Sequence, residues 1–339
     1  MKTKGLVTLL ACTALASMVR ADVYVGSSNN SGMIYDYSGL GTLLGTTDPG
    51  FGGGTGALVA VQGSTGNIVA STGGFLQLLN SSLSSRSTIG SGFGAFTAIA
   101  SQSDGHIVAG ATVNNNSLYN WASNGGFVGA FGSGWLNSTV AIGLDNSVFS
   151  TYSTGSQYNL GKFQSDFSFV NVTASDIGSS LVTNLATGEL WSAGNAAGQV
   201  LRIDANGTPI AQVGQGWGAA ILASGVDGRM WLSSPLSGGL LASWSSDGTY
   251  LGIFQTGIGN VAALAVDPVI GVVYVGLTDA SGGGINRYAA DGTYLDTFGS
   301  NLGITSLATS VPEPSSWTLL GFGGLAVVVW RTRRGTLNA

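Results

Sequence analysis

An apolar residue, in most cases beside glycine, returns about every forty-one positions along this chain. The marks are Phe51 in GFGG, Phe93 in GFGA, Trp135 in GWLN, Ile177 in DIGS, Trp217 in GWGA, Ile258 in GIGN and Leu302 in NLGI. Successive spacings are 42, 42, 42, 40, 41 and 44 residues. A fixed period of this length restricts the chain to repeat architectures, because each unit has to bury its apolar face on a neighbour. About ten residues after most marks comes a turn followed by a short run of β-formers: TGNIVA at Thr65, DGHIVAG at Asp104, DNSVFS at Asp145, TGELWSAG at Thr187, DGRMWLSS at Asp227 and IGVVYVG at Ile270. Turn glycine or asparagine ahead of alternating β-formers is a tight-hairpin signal. A second hairpin closes most units, as in NGGFVGAFG at Asn124, NGTPIAQVG at Asn206, DGTYLGIF at Asp247 and DGTYLDTFG at Asp291. Two hairpins make four short antiparallel strands per unit, which is one propeller blade.

The expected fold is therefore an all-β, seven-bladed propeller. After Leu302 the chain offers GITSLATS, one inner strand only, and the rest of that blade is supplied from Asp22 onward. Val23-Tyr24-Val25-Gly26 repeats Val273-Tyr274-Val275-Gly276 letter for letter. One blade shared between both ends closes the ring and removes two open sheet edges. Two units have degenerate second hairpins, NSSLSSRS and QSDFSFVN. In its double-hairpin pattern the chain is similar to NHL-type and gluconolactonase-like propellers. That likeness implies architecture and no function.

Between Asp22 and Ser310 five basic residues face fifteen acids. Such a body has no electrostatic footprint for nucleic acid. The only histidine, His106, follows a turn glycine, and its counterparts in sibling units are Asn67, Ser147, Glu189, Arg229 and Val272. A column this varied points to a solvated strand position and away from a general base. Asp104, Asp145, Asp227, Asp247 and Asp291 stand where a short carboxylate accepts from turn N–H groups. Asp36, Asp176, Asp279 and Asp296 have no such explanation, and a divalent cation held by some of them is the one cofactor open to the chain; no catalytic or metal residue is assigned. Trp191, Trp231, Phe149, Tyr274 and Tyr24 share one strand column; Trp121, Trp244, Tyr288, Tyr37 and Phe163 share another. Large groups recurring once per unit pack blade on blade. Among the marks, Phe51, Phe93, Trp135 and Trp217 are the candidate ligand ring. They are expected around the channel mouth, either as wedges between blades or as partly exposed rings that stack on sugar faces.

The ends carry a different message. Lys2 and Lys4 precede an apolar stretch, and Val19-Arg20-Ala21 offers small residues at the cleavage positions, which reads as a signal peptide over 1–21. The propeller then spans 22–310. Residues 311–339 hold Val311-Pro312-Glu313-Pro314, an uncharged run from Ser315 to Trp330 and the cluster Arg331, Arg333 and Arg334. The run is about 24 Å long as a helix, enough for a thin bilayer, and its basic flank is expected to stay cytoplasmic. Motif, span and basic end in this order resemble the PEP-CTERM sorting signal of Gram-negative bacterial surface proteins. The resemblance implies an exosortase-type membrane protease as partner, a membrane anchor through the C-terminal helix before processing, and delivery to the cell surface or extracellular polysaccharide. With few titratable groups in the body, the expected role is non-catalytic binding or structural service. The alternative is a metal-dependent lactonase- or lyase-type enzyme with its site at the central channel.

Overall fold

A computed structural model describes residues 21–29, 32–48, 56–72, 74–112, 117–134, 136–153, 158–195, 197–218, 220–278 and 283–310. They form seven four-stranded antiparallel sheets, each a meander of consecutive strands except the one that joins the ends. We number that sheet blade 1. Its inner strand is Ile304–Thr309, followed outward by Val23–Ser27, Ile34–Tyr37 and Leu43–Thr47. The inner strands of blades 2 to 7 are Leu58–Val61, Phe96–Ser101, Leu136–Ile142, Ser180–Thr183, Ile221–Ser224 and Val261–Val266. The expected seven blades and their closure are both present.

At the closure Val23 pairs with Thr309, Tyr24 with Ala308, Val25 with Leu307 and Gly26 with Ser306. The Ser310 N–H donates to the Asp22 carbonyl at 3.0 Å, and the Asp22 N–H donates to Ser310 Oγ at 3.0 Å. The shared VYVG motif has a steric reason. A Cβ on Gly26 would sit 2.1 Å from the Ala57 carbonyl oxygen, and one on Gly276 would sit 2.7 Å from Ile304 Cγ2. At both places the neighbouring blade passes too close for a side chain.

Burial follows position in the blade. Second strands such as Val23–Ser27 and Met230–Ser234 are buried along their whole length, because both faces meet another blade. Outer strands such as Phe127–Phe131 and Tyr294–Phe298 alternate exposed and half-buried residues. Both aromatic columns are interior: Trp121, Trp191, Trp231, Trp244, Tyr24, Tyr274, Tyr288, Phe149 and Phe163 are at most 1 % exposed, and Tyr37 is 6 % exposed. The two degenerate hairpins are real. In blade 2 the turn runs through Leu83 at φ 56°, and in blade 4 through Phe167 at φ 68°. Sibling turns place Gly125, Gly207, Gly248 and Gly292 in that left-handed conformation. Leu83 and Phe167 hold it because each packs into an apolar cluster between blades.

Polar struts bridge each blade to the next, ending on a backbone carbonyl in a turn. Tyr24 Oη donates to Ser81 O at 2.9 Å, Gln62 Nε2 to Ser123 O at 2.8 Å, and Gln102 Nε2 to Asn146 O at 2.6 Å. Lys162 Nζ donates to Ala205 O at 2.7 Å, Arg202 to Asp247 O and Arg229 to Ala290 O. Arg287 closes the circle onto Gly39 O at 2.5 Å. Arg86, the remaining basic residue of the body, donates to Asp48 O at 2.6 Å. The scarce cations of this acidic body are thus employed between blades.

Candidate functional site

Each blade runs inner to outer as a meander, so its connections fall on two sides. Turns from first to second and from third to fourth strand lie on one side, together with Asp22 and Ser310. Turns from second to third strand and the loops between blades lie on the other. The charge divides the same way. The hairpin-turn side carries Asp22, Glu189 and the turn aspartates 104, 145, 166, 204, 227, 247, 267 and 291. On the loop side no connection carries Lys or Arg, and the described acids are Asp48 and Asp176, the latter exposed at the loop-side end of the strand Phe169–Ile177. Glycine, serine, asparagine and glutamine make up most of that side.

The turn carboxylates do what their positions promised. Asp104, Asp145, Asp227, Asp247 and Asp291 each accept from the backbone N–H two residues on, at 2.9–3.1 Å. These bonds favour the ionised form: the Ser245 hydroxyl and Thr249 N–H hold Asp247 down at about 2, and Asp145, Asp166 and Asp291 are also lowered. His106 lies half-buried beside Phe167, ring centroids 5.9 Å apart. Asp296 pairs with Arg287 at 2.6 Å, and the Asp176 carbonyl accepts from Asn195 Nδ2 at 3.0 Å. Asp279 lies outside the described residues. Asp36 is different. It is 4 % exposed, its Oδ1 is buried without a hydrogen-bond partner, and it lies across the strand pair from Tyr24. Desolvation, with the Asp22 carboxylate adding repulsion, pushes Asp36 up to about 7. Among the described residues no three His, Cys, Asp or Glu side chains converge as a metal-holding group.

A cavity of about 390 Å³ occupies the ring centre. Its lining comes from all seven inner strands, from just before the strand start at Ser179 and Ala220 to mid-strand at Ile99, Val140 and Leu264. The walls are aliphatic and hydroxylic, with Val59, Thr97, Val140, Ser180, Leu264 and Ser306 among them. Several hydroxyls stitch one inner strand to the next: Thr305 Oγ1 and Ser306 Oγ donate to Ala57 O at 2.7 and 2.8 Å, and Ser180 Oγ accepts from the Leu222 N–H at 3.2 Å. Among the described residues no titratable side chain lines this cavity. It offers shape and hydroxyls, without an acid–base pair to move a proton.

Of the candidate ring, Phe93 and Trp217 are described, while Phe51 and Trp135 lie outside the described residues. Neither Phe93 nor Trp217 lines the channel. The expectation of a ring at the channel mouth is corrected for these two, which turn outward to aromatics of the following blade. Phe93 meets Tyr119 edge-on at 4.6 Å and Trp121 at 5.5 Å. Trp217 meets Trp244 edge-on at 5.3 Å and lies 6.0 Å from Tyr250. Both stay half-buried. The aliphatic marks Ile177, Ile258 and Leu302 are buried. Sequence reasoning missed a line of side-chain amides, Asn195, Gln199, Gln212 and Gln215, on the loop side of blade 5. The signal was present as two glutamines three apart in QVGQGW, with a third in NAAGQ.

Val311 to Pro314, the run from Ser315 to Trp330, Arg331, Arg333, Arg334 and the N-terminal segment lie outside the described residues. No helix among the described residues is long and apolar enough to cross a membrane. The PEP-CTERM protein-sorting motif matches residues 310–334. It marks an exported protein processed at the membrane by an exosortase-type system. No curated protein matches the chain. Among solved structures, a functionally unknown protein from Desulfotomaculum acetoxidans aligns at TM-score 0.69 and 12 % identity, covering 86 % of this chain and 99 % of its own. Streptogramin B lyase aligns at TM-score 0.59 and 15 % identity, covering 71 % and 82 %. A protein of unknown function from Bacteroides caccae aligns at TM-score 0.53 and 11 % identity, covering 86 % and 99 %. At these identities the likeness is one of fold.

Proposed function

We propose that the propeller is a non-catalytic binding protein of the cell surface or extracellular matrix that holds neutral polysaccharide on its loop side. The observation that carries this reading is the division of charge. Ser310, where the sorting segment departs, lies on the carboxylate-rich side, so the side poor in charge faces away from whatever holds that segment. A surface of amides, hydroxyls and half-buried rings matches sugar hydroxyls and sugar C–H faces, and offers no cation to an anionic polymer. The half-buried marks Phe93 and Trp217 act first as wedges between blades. Residues 1–21 act as the signal peptide, the Ser315–Trp330 helix as a temporary anchor and the arginine cluster as its cytoplasmic stop.

The test is affinity electrophoresis of the full-length chain, in a polyoxyethylene detergent, through gels containing dextran, galactomannan or alginate. Retardation by a neutral polymer and free passage through alginate is expected. Free passage through every neutral polymer overturns the binding role. In cells, Pro312→Ala with Glu313→Ala should leave the protein in the membrane, while wild type loses the mass of its tail. Intact wild-type protein resident in the membrane of an exosortase-containing cell overturns the sorting role.

A further inference from the structure

Four side-chain amides form a directed chain on the loop side of blade 5. Asn195 Nδ2 donates to Gln199 Oε1 at 2.6 Å, Gln199 Nε2 to Gln212 Oε1 at 2.9 Å, and Gln212 Nε2 to Gln215 Oε1 at 3.1 Å. The inner end is anchored: Asn195 is 6 % exposed, and its Oδ1 accepts from the Gln199 N–H at 2.8 Å. The outer end is exposed at Gln212 and Gln215. Each amide uses one N–H on its successor, so the chain finishes with Gln215 Nε2 having no partner among the described residues. Amides linked this way polarise one another, which strengthens the terminal donor.

Two residues further on stands Trp217. Its ring is held by Trp244 and Tyr250, its backbone N–H donates to Gly198 O at 2.9 Å, and its carbonyl accepts from Ser234 Oγ at 2.5 Å. The Gly216 N–H donates to Ala197 O at 3.2 Å, so the loop with the indole is clamped to the turn that starts the relay. Gly198 allows this approach, since a Cβ there would lie 2.5 Å from the Gly218 nitrogen. The indole N–H of Trp121 donates to Ile89 O and that of Trp244 to Val213 O, whereas those of Trp191 and Trp217 have no partner among the described residues; Trp191 is fully buried and Trp217 only half-buried. The result is a fixed corner with two free donors, a carbonyl oxygen with a spare lone pair on Gln215 and an aromatic edge, with Asp176 beside the anchored inner end.

We infer that this corner is a binding subsite for one or two residues of a neutral saccharide chain, with Gln215 and Trp217 touching the sugar and Asn195, Gln199 and Gln212 positioning Gln215. This rests on the neutral-polysaccharide reading above and adds its location. A sugar hydroxyl both accepts and donates, which suits an amide end, while the apolar face of a pyranose suits an aromatic ring. Ordering is done in advance by the relay and the clamp, so little side-chain freedom is lost on binding.

The test uses the same gels with variants of the full-length chain. Gln212→Leu keeps the shape and cuts the relay, Gln215→Ala removes its end at an exposed loop position, and Trp217→Phe keeps a wedge while deleting the indole N–H. Gln255→Leu, an exposed glutamine of blade 6 outside the relay, is the control. Expected is at least tenfold weaker retardation by dextran or galactomannan for the first three, unchanged retardation for the control, and circular dichroism spectra that superimpose on wild type. If wild type is retarded and Gln215→Ala and Trp217→Phe are retarded equally, the subsite is refuted while the polysaccharide role stands. If wild type passes every neutral polymer freely or binds only alginate, both fall.

Discussion

Asp36 provides a sharp test of the energetics at the closed ring. Its carboxyl is buried between blades 1 and 2, one oxygen has no partner, and the like-charged Asp22 repels it. The folded state therefore binds its proton more tightly than the unfolded chain does, with a pKa of about 7 against the ordinary 3.8. A raised carboxylate pKa means that stability is full below about pH 4 for this group and falls as pH rises through 7. A shift of about three units at 1.36 kcal/mol per unit sets a ceiling of about 4 kcal/mol. Asp22 is half-exposed, so water screens the pair and brings the expected loss to about 2–3 kcal/mol. Asp145, Asp166, Asp247 and Asp291 have lowered pKa values and change charge below pH 4, so they are silent in this window. Asp36→Asn cannot ionise. Urea unfolding of both chains at pH 5, 6, 7 and 8 should show wild type losing about 1 kcal/mol relative to the variant across the series, the rest of the loss falling between pH 4 and 5. Parallel pH profiles for wild type and Asp36→Asn would refute the reasoning.

Deleting Leu302 to Ser310 removes the closing strand with two buried aliphatics, Leu302 and Ile304, at 4 % and 0 % exposure. Each is worth about 2–5 kcal/mol, a large part of a usual total of about 5–15, so the cooperative thermal transition should vanish; an unchanged melting temperature would sink the shared-blade account. Arg287→Met removes the strut onto Gly39 and both bonds to Asp296; a loss of about 1–3 kcal/mol is expected in denaturant titration, and no loss would mean that the strut is idle. Phe93→Ala should cost about 1.5–3 kcal/mol if the half-buried ring is a wedge; full stability with weakened dextran retardation would instead make it a sugar platform.

The period of the fold was legible because turn chemistry marks it. Asp or Asn followed by Gly recurs where the chain needs a left-handed residue, and the VYVG doublet exposed the shared blade. The second hairpins of blades 2 and 4 were obscure for the same reason: Leu83 and Phe167 occupy the glycine position, and only packing between blades makes that conformation tolerable. The mark residues were found but their direction was not. A loop residue's position in a repeat does not say whether it turns to the axis or to the next blade, and for Phe93 the neighbours Tyr119 and Trp121 decide it. The glutamines of the blade 5 relay stand in the sequence, but their connection does not, because they come from a turn, an outer strand and a loop that only the meander brings together.

The closing strand also sets the tempo of folding. Six blades are consecutive in sequence, so each can form once its own forty residues are available and then dock on the one before. Blade 1 has to wait, since Val23–Ser27 has no inner partner until Ile304–Thr309 exists. Joining segments this far apart costs about 5 kcal/mol of loop-closure entropy when nothing between them is ordered, and much less once six blades have curved the ends together. Docked blades must therefore come first and the seam last. Until then three N-terminal strands present an unpaired inner edge, which makes the seam the slow step and the chain's moment of greatest exposure to aggregation.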